Sequence, residues 1–123
     1  MKTILALCSL ILIAGGVLLF RYLRAPSLYG VFGGAPRAEV IDLIERPKEF
    51  LRRTVALEGV IKEQCTSMGC YFFFHSGKKA LRVDISEIAM TAPRRNGRPA
   101  RVEGQLVPFA DGYQFWASAV EFK

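Results

Sequence analysis

The feature that most limits what this chain can become lies at its N-terminus. Residues 4–20 (ILALCSLILIAGGVLLF) form a run of seventeen residues without a single charge. A segment with no polar face cannot sit on the surface of a globular domain as an amphipathic helix would. As a helix it is roughly 25 Å long at 1.5 Å per residue, at the short end of what crosses a hydrocarbon core of about 30 Å. Arg21, Tyr22 and Arg24 extend that reach, because long basic side chains snorkel and tyrosine favours the interface. Residues 1–24 therefore read as a transmembrane anchor or uncleaved signal, with Ile4 and Phe20 at the ends of the apolar run. A cleaved export signal is the competing reading. Against it, the run exceeds the usual apolar length of about 7–15 residues, and Arg21 follows directly with no A-x-A-like site. Ala14-Gly15-Gly16 is small enough to be cut but would leave Val17 to Phe20 exposed at the new terminus. Cys8 has almost no apolar run ahead of it and makes a poor lipidation site.

Everything beyond residue 24 mixes charged and apolar residues as globular chains do, and that length can bury one ordinary core. The chain carries a net charge of +6, and Lys2, Arg21 and Arg24 supply half of it. The remaining domain is too mildly basic to signal nucleic acid by charge alone. For orientation, Lys2 at one end balances Arg21 and Arg24 at the other, so the positive-inside rule gives almost a tie. The resemblance of the N-terminal run to an export signal favours an extracytoplasmic C-terminal domain, periplasmic in a Gram-negative cell. The expected location is thus a single-pass membrane protein.

Residues 25–36 read as a linker, punctuated by Pro26, Gly30, Gly33, Gly34 and Pro36, ahead of a domain over 37–123. Residues 38–45 read as a short amphipathic helix: Val40, Ile41, Leu43 and Ile44 form its apolar face, and Pro47 stops it. Such a helix would plug the end of a barrel. From Thr54 the apolar period changes to two, the mark of strands. The spacing predicts strands over 54–64, 70–76 and 80–85, then a helical turn capped by Ser86 and ended by Pro93. Two more strands follow over 100–109 and 113–122, joined by a turn at Asp111-Gly112. Gly59 lies inside the first of these, where a small closed barrel needs a bulge or bend. Three strands, a connector and two strands is the order of the OB-fold, a five-stranded Greek-key barrel. The fold class expected is all-β: an OB-fold-like barrel preceded by a short helix and an N-terminal transmembrane helix.

Val55 to Ile61 (VALEGVI), Cys65 to Tyr71 (CTSMGCY) and Arg101 to Gln105 (RVEGQ) resemble a family of small exported bacterial OB-fold domains of unassigned function. The hallmark of that family is a strand ending in Cys-x-x-x-Gly-Cys-Trp. Here Tyr71 stands in place of the Trp, and residues 86–93 lack an aromatic-rich loop. The resemblance implies a fold and an exported location, and no particular activity.

Cys65 and Cys70 flank the turn between the first two strands. Opposed residues on antiparallel strands have Cα atoms about 4.5–5.5 Å apart, which overlaps the ~4.4–6.8 Å range of a disulfide. In an oxidising compartment a structural staple is the plain expectation. The sharper alternative is a copper(I)- or thiol-handling site, since Cys65, Met68 and Cys70 offer two thiols and a thioether, a soft set suited to Cu(I). His75, the only histidine, would be a poor fourth ligand. Five residues beyond Cys70, it points to the opposite face and lies roughly 17 Å further along at ~3.3 Å per residue.

The strand Tyr71-Phe72-Phe73-Phe74-His75 is the other notable stretch. With Phe72 and Phe74 in the core, Tyr71, Phe73 and His75 line the outer face, beside Arg82 and Asp84 of the next strand. OB-folds bind ligands across this pair of strands. Exposed aromatics there can bury a protein partner, or stack the bases of single-stranded nucleic acid if the domain is cytoplasmic. The bland alternative is that the N-terminal helix or linker covers them. Arg94, Arg95, Arg98 and Arg101 read as solvated surface, with contact to anionic headgroups second, and Trp116 reads as a core residue. No phosphate-binding glycine loop, paired catalytic carboxylates, histidine cluster or catalytic triad occurs. The reading is a non-catalytic, membrane-anchored binding or assembly module with no cofactor. Its expected partners are the bilayer, through residues 4–20, and a membrane or extracytoplasmic protein.

Overall fold

A computed structural model describes residues 2–24, 26–65, 71–89 and 92–123, with the side chains of residues 2, 5 and 18–24 also outside the description. The N-terminal run is helical, α1 (Lys2–Arg24). Among the described residues no helix is long and apolar enough to cross a membrane. Ile4, Leu7, Leu10 and Ile13 of α1 stand exposed.

Five strands close the barrel: β2 (Thr54–Lys62), β3 (Tyr71–Ser76), β4 (Lys79–Asp84), β5 (Pro99–Phe109) and β6 (Gly112–Phe122). β2, β3 and β4 form an antiparallel meander. β4 then pairs in parallel with β6 through Val83↔Phe115 and Asp84↔Trp116, and β5 pairs with both β6 and β2 to complete the ring. The predicted strands therefore occur in the predicted order. Alternation along them sends Val55, Leu57, Ile61, Phe72, Phe74, Leu81, Val83, Val102, Leu106 and Phe115 into one continuous buried core.

The first barrel strand stops at Lys62 rather than running to Gln64, because Glu63 takes a left-handed backbone (φ 51°) that breaks the ladder. Gln64 is instead buried. Its N–H donates to Asn96 Oδ1 at 2.8 Å, and its Oε1 accepts the Arg95 N–H at 2.6 Å. The short helix α2 begins at Val40, not Ala38, since the Ala38 N–H is used to bond the Ala56 carbonyl in extended geometry. Val40 and Leu43 are buried, and α2 packs on β2, β3 and β4, followed by the single turn α3 (Pro47–Phe50).

The stretch read as a linker is part of the barrel wall. Residues 28–30 form β1 (Leu28–Gly30), antiparallel to β6 at Ala119, Val120 and Glu121. The chain then crosses the outside of β5. There Glu103 accepts the N–H groups of Gly33 (2.7 Å) and Ala35 (3.1 Å), and Arg101 lies on the Phe32 ring (4.2 Å). It reaches the edge of β2 at Ala56, whose N–H and C=O bond Pro36 and Ala38. This strap thus satisfies the backbone of β6 beyond the reach of β4, and that of β2 beyond the reach of β3.

Candidate functional site

Because the strap crosses β5, among the described residues it leaves the outer face of β3 and β4 open. Strand parity decides what that face carries. Phe72 and Phe74 are fully buried, Tyr71 and Phe73 are half-buried on the outside, and His75 is exposed. The Tyr71 and Phe73 rings meet edge to face with centroids 5.8 Å apart. On β4, Arg82 sets its guanidinium 4.0 Å from the Tyr71 centroid and 4.4 Å from that of Phe109, at the end of β5. Two cation–π contacts on one guanidinium hold a flexible side chain in a defined place.

Asp84 is on the same face but has a local task. Its Oδ1 accepts the Ser86 N–H at 2.9 Å and the Ser86 hydroxyl at 2.6 Å. The turn expected to be capped by Ser86 is therefore capped by Asp84, an Asx-type turn, with the Ala89 N–H bonding the Ile85 carbonyl. His75 Nε2 lies 3.7 Å from Glu63 Oε1 at the surface, a pair of little energetic weight.

Trp116 is not in the core. It is 41% exposed, on the outer face of β6 opposite Asp84 and Gln105, and Phe115 takes the interior position. In register Trp116 lies across Asp84 from Tyr71, so it shares the outer face with Tyr71, Phe73, Arg82 and the 39% exposed Phe109. Sequence reasoning missed both. The available signal was a switch of parity: Phe115 and Ala117 are inward at odd numbers, Val120 and Phe122 at even ones. A bulge in between, where Ser118 is extra opposite the Glu103/Gly104 step, accounts for the switch.

The basic cluster is only in part a solvated surface. Arg95 is buried, stacked 4.3 Å from the Phe122 ring, and its Nη2 donates to the Pro26 carbonyl at 3.0 Å. Arg98 Nε donates to the Lys123 carbonyl, and Arg101 lies under Phe32. Arg95 and Arg101 thus fasten the strap to the barrel and Arg98 ties down the C-terminus, while Arg94 and Arg98 are exposed, as expected of solvated surface.

Cys65 is half-buried, and its N–H donates to the Tyr71 carbonyl at 2.9 Å, which puts it at the foot of β3. Met68 and Cys70 lie outside the described residues, so the disulfide and copper readings of this loop do as well. Among the described residues no three His, Cys, Asp or Glu side chains converge on a metal position. In a depression lined by residues 45–49, Arg46 and Glu49 pair with each other and Glu45 pairs with Lys79. Arg46 there bonds Asp42 and Glu49, and the Asp42 hydrogen bond, then the Glu49 charge, raises its pKa above the ordinary arginine value.

The barrel is OB-fold-like. The hypothetical protein ygiW from E. coli has a similar structure, with a TM-score of 0.53 and 15% identity over 76% of this chain and 99% of that one. An aspartyl-tRNA synthetase described as putative, from Leishmania major Friedlin, is similar over 89% of this chain with a TM-score of 0.52 and 12% identity. This chain spans only 26% of the synthetase. At such identities the likeness concerns the fold alone. No family model and no curated protein matches the sequence.

Proposed function

We propose that this chain is a non-catalytic, membrane-anchored binding module that engages a protein partner through the outer aromatic face of β3 and β4. The observation that carries the reading is the grouping of Tyr71, Phe73 and Phe109 about Arg82, with Trp116 exposed on the same side, on a face the strap leaves open. Aromatic residues and arginine are the types enriched at the centres of protein interfaces, and their truncation there typically costs ~2 kcal/mol or more. Scattered single apolar residues would carry no such weight. Phosphate recognition is disfavoured, because it rests on several cations following a backbone, whereas Glu63 and Asp84 share this side of the barrel with Arg82 and His75.

Anchoring rests on the sequence of residues 4–20, an uncharged run of which residues 5 and 18–20 have side chains outside the described set, in which no spanning helix is found. An extracytoplasmic barrel rests on the likeness of that run to an export signal. The test of the binding face is Phe73→Ser in the full-length protein. Its side chain is half outside the core, so the variant should fold and lose the partner that co-purifies with the wild type from detergent-solubilised native membranes. Unfolding of the variant would make Phe73 a core residue and sink the proposal. Carbonate-resistant sedimentation with membranes and an extracytoplasmically active reporter fused after Lys123 are the outcomes expected for the anchor. A soluble form beginning near Gly16 would remove it.

A further inference from the structure

We infer that the Tyr71–Arg82–Phe109 stack is a carboxylate-binding clamp, and that the module's partner presents an acidic side chain next to an apolar one. The inference rests on the proposed binding face and specifies what that face selects.

Arg82 differs from the other arginines of the barrel in what surrounds its charge. Arg37 pairs with Glu58, Arg46 with Asp42 and Glu49, while Arg95 and Arg98 each donate to a backbone carbonyl. Arg101 is covered by Phe32 beneath the strap. Arg82 is held by two aromatic rings, and among the described residues no carboxylate or carbonyl accepts from it. The nearest acid in register, Asp84 on the same strand, has its Oδ1 committed to Ser86. The Nε of Arg82 is buried without a partner, whereas its two terminal amino groups are not among the buried unpartnered atoms and are the donors left to a ligand.

That arrangement has a chemical preference. Parallel N–H groups of a guanidinium match the two oxygens of a carboxylate. A guanidinium already fixed by stacking loses less conformational freedom when it binds than a free one would. Phe109, one wall of the clamp, is itself half-exposed, and the exposed Trp116 stands in register across Asp84 from Tyr71, so the group beside the acid meets apolar surface. A phosphodiester chain would find one clamped cation and neighbouring carboxylates, not a basic track. The acid is therefore assigned to a protein segment.

Trp116 is the only tryptophan of the chain and stands on this face, so its emission reports occupancy directly. Full-length protein in detergent micelles is titrated with the capped peptide Phe-Glu-Asp-Phe, with its amide counterpart Phe-Gln-Asn-Phe, and with a ten-nucleotide oligothymidine. The acidic peptide should shift the Trp116 emission saturably and bind at least about tenfold more tightly than the amide peptide. Arg82→Gln should remove that preference without changing the far-ultraviolet dichroism. Arg82→Lys should keep only part of it, since an ammonium has no planar fork. Equal binding of the two peptides, an unchanged preference in Arg82→Gln, no saturable shift with the acidic peptide, or tighter binding of oligothymidine would each overturn the clamp. The native partner separates this inference from the reading beneath it. Capture lost in Phe73→Ser but intact in Arg82→Gln overturns the clamp alone, whereas capture intact in both overturns the aromatic face as well.

Discussion

The ring of Phe74 lies against the bare Cα of Gly59: a Cβ on that glycine would stand 2.7 Å from Phe74 Cδ1 and 2.8 Å from Cγ. Phe74 is fully buried, so its ring has nowhere to retreat. The absence of a side chain at Gly59 thus lets β2 pass over the core where β2 and β3 part, their pairing being confined to Ile61↔Phe74 and Lys62↔Phe73. Gly59→Ala is expected to lower stability by about 1–3 kcal/mol, the usual cost of overpacking, read as a lower urea midpoint at unchanged slope. At Gly104 the obstacle is backbone: a Cβ there would overlap the Trp116 carbonyl oxygen and stand 2.8 Å from Ala117 Cα. Gly104→Ala should therefore be the more damaging of the two. The reverse ranking would mean that the bulge yields more readily than the core.

The barrel was legible in the sequence because its strands alternate cleanly where one face is buried. Val55 and Leu57, Phe72 and Phe74, and Leu81 and Val83 each keep step with the pleat, and all lie in the core. What was not legible came from interactions distant in sequence. Nothing local in Gly33 or Ala35 announces that Glu103 will hold their N–H groups, 70 and 68 residues away. So a stretch rich in glycine and proline read as a free linker. Trp116 was misplaced because Phe115 and Trp116 are adjacent and equally suited to a core, and only the bulge decides between them. The same aromatic run that gave Tyr71 and Phe73 for the binding face held no hint of Phe109, which Arg82 brings in from β5.

Glu103 is expected to be the fastening point of the strap. It is buried and accepts two backbone N–H groups, one on each oxygen. Glu103→Gln keeps the volume but turns one acceptor into a donor facing an amide N–H. The loss should be about 1–3 kcal/mol. Hydrogen exchange provides the check: Gly33 and Ala35 should lose protection ahead of the barrel strands, as a local opening does. Uniform loss across β2 to β6 would show instead that the strap and barrel unfold as one unit.

The turn between β5 and β6 uses Ala110 and Asp111, with Gly112 already paired to Phe109. The expected Asp111-Gly112 turn is thus displaced by one residue, and the left-handed position falls on Ala110 (φ 50°). An alanine there carries a steric penalty that glycine escapes. Ala110→Gly should accordingly raise stability by about 0.5–1 kcal/mol, less whatever the greater freedom of the unfolded chain subtracts. Thermal unfolding measures it. A lower midpoint would show that the unfolded-state entropy of glycine outweighs the relief of strain.

Cys65 sits at the foot of β3 with its N–H on the Tyr71 carbonyl, and Cys70 is the residue before Tyr71. In an oxidising compartment the expected outcome is a staple across this loop, and closing six residues stabilises by roughly 2 kcal/mol in the chain-entropy model. The pair should then resist alkylation until the protein is unfolded with reductant, and replacing both by Ser should cost about that amount while partner capture persists. The competing soft-metal reading gives different results: the reduced protein would take up Cu(I), and Met68→Leu, close in volume but lacking sulfur, would weaken uptake with little loss of stability. His75→Ala should leave any copper uptake unchanged, because His75 is at the far end of β3 beside Glu63. Thiol labelling before and after reduction, followed by copper titration of the reduced protein, distinguishes the two. Labelling that needs no reductant excludes the staple, and absence of copper uptake excludes the metal site.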